Sequence, residues 1–110
     1  MRFQKGDIVV IPVPFTDDQT TKKRPAVVVS NDDVHNTGDV VVVQITSRLR
    51  NDTLSFPLSS TDTTVALPKM SVVRIHKIFV LESYLIEKKV SELKPSVYAR
   101  LIEKINNVMK

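Results

Sequence analysis

Three short stretches carry side chains suited to chemistry at a phosphodiester. Arg24 closes the polar stretch 15–23 and, with Pro25, opens the apolar run Ala26–Ser30. Proline disfavours helix at the residue before it, so Arg24 is predicted extended at the entry to a strand. A guanidinium keeps its charge at any physiological pH and offers paired donors to phosphoryl oxygens. It is a poor general base, because an ordinary arginine pKa of roughly 12.5 or more leaves almost no neutral form. Thr46 and Ser47 end the most apolar strand of the chain, Asp39–Ile45. Hydroxyls there either donate to a phosphate or cap the strand's own turn. Arg74 and His76 lie two apart in a third apolar stretch. In a regular strand that spacing puts both on one face, about 6.6–6.8 Å apart. Histidine is the side chain that both accepts and donates a proton near neutrality. The plain alternative for each stretch is a surface arginine, a capped strand end and a solvated strand face. His35, beside Asn36 in a capping stretch, reads as surface.

The reaction these residue types suit best is phosphodiester transfer in RNA. There the 2′-hydroxyl is a nucleophile already placed beside the phosphorus. A protein need only help to deprotonate it, stabilise the anionic phosphorane and protonate the leaving 5′-oxygen. The chain has no cysteine and only two histidines. Neither a disulfide framework nor a transition-metal site is therefore indicated. No phosphate-cradling glycine loop or serine-elbow motif occurs.

The elements that must position these residues follow from hydrophobic pattern. Gly6-Asp7 signals a turn, and Ile8–Val13 is a short β-branched run whose Pro12 and Pro14 point to an edge or bulge. Ala26–Ser30 reads as a buried strand and Asn31–Asn36 as one helical turn. Asp39–Ile45 is the clearest strand, Arg48–Thr53 a polar turn and Leu54–Leu58 an exposed or edge strand. Val65–Leu67 reads as a short strand and Ser71–Val80 as a long one. Pro95 suits a first helical turn, followed by Val97, Leu101, Ile105 and Val108 at helical spacing, with Tyr98 and Ile102 widening the stripe. Many short strands before one amphipathic helix predict a mainly β fold, a small barrel or strongly bent sheet with a helix packed on it.

The 110 residues fit one domain spanning 1–110. A formal charge of +4 suits an anionic partner such as nucleic acid. Yet the charge is spread: residues 1–24 carry five Lys/Arg against three acids, and 25–81 five against five. Any basic patch must therefore be assembled by folding. The N-terminus lacks a signal-peptide pattern and no apolar run approaches the roughly 20 residues that span a bilayer, so a cytoplasmic chain without membrane contact is expected.

In Gly6-Asp7-Ile8-Val9, Lys23-Arg24-Pro25-Ala26-Val27-Val28-Val29-Ser30 and Gln44-Ile45-Thr46-Ser47 the chain resembles the MazF/PemK family of toxin endoribonucleases. The order and spacing match over nearly the whole length. The resemblance implies an SH3-like small barrel with one or two short additional helices, assembled as a homodimer. It implies metal-independent, cofactor-free cleavage of single-stranded RNA, and inhibition by a cognate antitoxin protein. It carries over Arg24 as catalytic acid/base or phosphorane stabiliser, and Thr46 as stabiliser of the transition-state oxygens. Ser47 carries over as a phosphate contact and Arg74 as a substrate contact, with Lys22, Lys23 and Lys77 as further candidate contacts. Family members often place an acid then glutamine where this chain has His76-Lys77, which makes His76 the candidate base or leaving-group acid. Two other functions compete: a CcdB-like non-enzymatic gyrase inhibitor, and an inactive RNA-binding barrel. The chain has no tryptophan, unlike the exposed C-terminal tryptophan of CcdB-like toxins, which counts against the inhibitor.

Overall fold

The computed structural model describes residues 2–14 and 21–110. The elements run β1 (Asp7–Pro14), β2 (Thr21–Val28), α1 (Asp32–His35), β3 (Asp39–Thr46), β4 (Ser55–Leu58), β5 (Ser71–Glu82), a 3₁₀ turn at Ser83–Leu85, β6 (Lys88–Glu92) and α2 (Pro95–Val108). All six strands form one antiparallel sheet in the order β4-β5-β3-β2-β1-β6, curled into a half-barrel with α2 against one face. The expected mainly β architecture with a C-terminal helix is the observed one. The polar stretch ahead of Arg24 falls, for residues 15–20, outside the described residues.

Strict alternation explains why β2 and β3 sit at the centre. Val27, Val43 and Ile45 join a cluster with Ile8, Phe56, Val73 and Ile75, closed by Val97, Leu101 and Ile105 of α2. Their neighbours Ala26, Val28, Val40 and Val42 point the other way, into a second cluster with Phe3, Val9, Ile11, Leu81 and Ile86. A strand apolar at every position needs cover on both faces, and the curl supplies it. At the β1 entry, Gly6 adopts φ +90°, which L side chains rarely reach. Its N–H donates to Val28 O at 2.8 Å and its carbonyl accepts from Leu93 N at 2.8 Å.

Several boundaries differ from expectation. β2 begins at Thr21, so Lys22 and Lys23 lie within a strand, opposite Val13 and Pro12. Beyond Val10, β1 pairs only with β2, which leaves Pro12 on an edge, as its missing N–H requires. The expected strand Val65–Leu67 is instead a loop. Val65 N and O bond the Ser91 hydroxyl (3.0 and 2.6 Å) rather than a neighbouring backbone. β6 has two lysines among its five residues and no apolar run to announce it. Among the described residues no helix is long and apolar enough to cross a membrane.

Candidate active-site cleft

Arg24, midway along β2, and Thr46, the last residue of β3, lie just beyond the point where the two strands part. The β2–β3 ladder runs from Val28↔Val42 to Ala26↔Gln44 and stops there. Carrying the register two residues further sets Arg24 opposite Thr46. Opposite residues of an antiparallel pair share a face, with Cβ atoms about 5 Å apart where pairing is intact. Here it is not intact. Residues 21–25 of β2 stay with β1, while Ile45 and Thr46 stay with β5. The fork opens a groove of about 500 Å³ lined by Arg24, Pro25, Ile45, Ser47 and the loop Val65–Lys69, with Lys23 and Lys88 at its margin. The floor is apolar and the rim cationic, a combination suited to a base and its flanking phosphate.

Each residue on the rim has a defined local state. Arg24 is half-buried, and among the described residues no carboxylate lies within ion-pair distance of it. The Thr46 hydroxyl oxygen accepts the Arg48 N–H at 3.1 Å, which is the strand-capping role expected of such a residue. That bond uses a lone pair and leaves the hydroxyl proton available for donation. Ser47 is exposed and lines the groove. Lys22 is exposed; Lys23 is held by Glu87 at 2.6 Å, and the Lys23 ammonium keeps the Glu87 carboxyl below its ordinary pKa. A phosphate at this margin must compete with Glu87 for Lys23.

The structure separates Arg74 from His76. Val43 pairs with Ile78 but Ile45 with Val73, so four β5 residues, Arg74–Lys77, oppose Gln44 alone. A bulge of this kind re-aims side chains, and the one-face expectation for Arg74 and His76, which assumed regular pleating, fails for that reason. Arg74 is turned inward, 8% exposed, with Nη1 donating to Asp52 Oδ1 (2.9 Å), Asp52 Oδ2 (3.1 Å) and Ser55 Oγ (2.7 Å). His76 and Lys77 are exposed beside Gln44. β5 lies two strand spacings from β2, roughly 10 Å between backbones. β3 lies between them, so His76 and Arg24 are on strands that do not pair.

His35 departs from the surface reading. Its ring is nine-tenths buried, with Nε2 2.7 Å from the Ser30 hydroxyl, which itself accepts Val41 N–H at 2.9 Å. This pins α1 to the start of β3. Sequence reasoning also missed Asp52, Ser55 and Glu87, whose cationic partners lie 19 to 64 positions away and leave no local signal. Among the described residues no group of three or more metal-ligating side chains assembles.

A curled antiparallel sheet that forks between β2 and β3 and is braced by a C-terminal helix makes a small half-barrel. Residues 4–109 match the family described as PemK-like, MazF-like toxin of type II toxin-antitoxin system, and the chain belongs to that family. A search of curated proteins returned no match. Among solved structures the chain is similar to an endoribonuclease in complex with its cognate antitoxin from a Mycobacterial species. The identity is 18%, over 98% of this chain and 95% of that one, with a TM-score of 0.78. It is similar to the MazE-MazF complex of Deinococcus radiodurans at 21% identity, over 96% and 94% of the two chains, with a TM-score of 0.78. The Mycobacterium tuberculosis toxin MazF-mt6 shares 20% identity over 94% of this chain and 95% of its own, with a TM-score of 0.74. At these identities the likeness is one of fold.

Proposed function

We propose that the protein is a sequence-specific endoribonuclease that cuts single-stranded RNA by attack of a 2′-hydroxyl on the adjacent phosphodiester. The observation that carries this reading is the β2–β3 fork, whose groove Arg24 and Ser47 line, with Thr46 next to Ser47 at the end of β3. Arg24 grips the equatorial oxygens as negative charge builds on phosphorus, and the Thr46 hydroxyl donates to the same oxygens. Ser47, Lys22, Lys23 and Lys77 contact flanking phosphates. The 2′-oxygen–phosphorus bond forms as the bond to the 5′-oxygen breaks. The 2′-hydroxyl proton passes to a base, and the 5′-oxygen receives a proton as it leaves. His76 is assigned that proton traffic, since Arg24 holds its own proton too tightly. The nucleophile belongs to the substrate, so the step calls for no cofactor. Family membership supports a cognate antitoxin as partner and a homodimer as the working form.

Incubation of the purified chain with a long single-stranded RNA in excess chelator tests this. Discrete cuts ending in 2′,3′-cyclic phosphates are expected, slowed on the order of 10²–10³-fold in Arg24→Ala, as for other lost oxyanion donors. Uncut RNA together with gyrase-dependent DNA breakage would establish the inhibitor reading instead. RNA bound but uncut would establish the inactive barrel.

A further inference from the structure

The segment between Thr46 and β4 is fixed at both ends, and what it presents between them is cationic. At its start Arg48 N donates to Thr46 Oγ1 at 3.1 Å. At its end the Asp52 carboxylate collects Leu54 N (3.1 Å), the Ser55 hydroxyl (2.9 Å) and the Arg74 guanidinium (2.9 Å). Ser55 Oγ accepts from Arg74 while donating to Asp52, and Ser55 O accepts Lys104 Nζ of α2 at 2.9 Å. The end of the loop is thus tied to β5 and the start of β4, which Lys104 links to α2. Between the two anchors Arg48, Leu49 and Arg50 are all exposed, Leu49 by 58%. Among the described residues no carboxylate pairs with either arginine.

We propose that the Asp52–Arg74 pair is a positioning clamp that presents Arg48, Leu49 and Arg50 as a second contact for single-stranded RNA, next to the cleft at Arg24 and Thr46. The inference rests on the nuclease reading and extends it. Two guanidinium groups flanking an apolar side chain match a single strand, whose phosphates alternate with unpaired base faces. Holding the loop in place before binding spares the complex the ordering of a free segment. Arg74 thereby acts through Asp52 and the loop, as a positioning residue, and is not itself a contact. The buried Nη1 bonds and the β5 bulge that turns Arg74 inward both fit this role.

Binding to a 2′-O-methyl oligoribonucleotide, which has no nucleophile and stays intact, tests the clamp apart from cleavage. Affinities are measured across a salt series for the wild type, Asp52→Asn, the pair Arg48→Ala/Arg50→Ala, and all three changes together. Asp52 is partly exposed and asparagine keeps an acceptor for Leu54 N, so Asp52→Asn should fold; a thermal melt checks it. Removing both arginines should flatten the slope of log affinity against log salt by about 1.4, from roughly 0.7 per phosphate contact on a single strand. Asp52→Asn should weaken binding several-fold in the wild type and add nothing once the arginines are gone. Equal losses in both backgrounds, or an unchanged salt slope, would overturn the clamp while leaving the nuclease intact. Absence of binding by the wild type would overturn the nuclease reading and the clamp with it.

Discussion

His76 stands exposed where the β5 bulge meets Gln44, one strand away from the fork, and that placement fixes what its removal should do. If it moves protons at the 2′- or 5′-oxygen, His76→Ala should lower kcat on the order of 10²–10⁴-fold and flatten the rate profile near neutral pH. Near-normal cleavage with an unaltered profile would reduce His76 to an RNA contact. Two carboxylates make a second prediction at this scale. The Ser55 hydroxyl, then the Arg74 guanidinium, hold Asp52 below its ordinary value of 3.8; the Lys23 ammonium holds Glu87 below its ordinary 4.5. A group depressed by folding stabilises the native state above its unfolded pKa and loses that contribution as pH falls through the folded one. Urea midpoints should therefore be flat near neutrality and drop in the acid range below those ordinary values. Asp52→Asn should shallow that drop, and an unchanged acid limb would show that the pair carries no linkage.

At the scale of elements, the unbroken apolar runs at Ala26–Val28 and Val40–Val43 already required strands covered on both faces. The Val97, Leu101 and Ile105 stripe required a helix to supply one of the covers. Leu101 is fully buried in that cover, so Leu101→Ala should cost about 2–5 kcal/mol in a denaturant titration. A loss under 1 kcal/mol would mean that α2 is not integral to the core. The strand positions of Arg24 and Thr46 were legible too, because an arginine held extended by Pro25 and a strand followed by Thr46-Ser47 are local patterns. The bulge was not, because nothing in Arg74–Lys77 distinguishes a regular pleat from four residues opposing one. Arg74's partner escaped for a different reason: Asp52-Thr53-Leu54-Ser55 reads as a polar turn, and turn chemistry does not reveal which cation completes it. Val65–Leu67 has the composition of a strand, but the Ser91 side chain took the backbone groups that a ladder would have used.

For the molecule as a whole, the fork has a consequence for local opening. Arg24 and Thr46 sit two residues from Ala26 and Gln44, where the ladder between the two doubly covered strands begins. Most proteins draw binding loops from their least protected segments, which fray independently of the rest. Here the banks of the cleft are extensions of the strands with the deepest cover. Amide hydrogens of Val27, Val28, Val42 and Val43 should exchange only through global unfolding, with opening free energies that match the denaturant-derived stability. If they do, the cleft and the folded state will be lost together on titration with urea, in a single transition. Exchange of these amides through a smaller opening would instead reveal a sub-global unit that releases the cleft while the rest of the sheet persists.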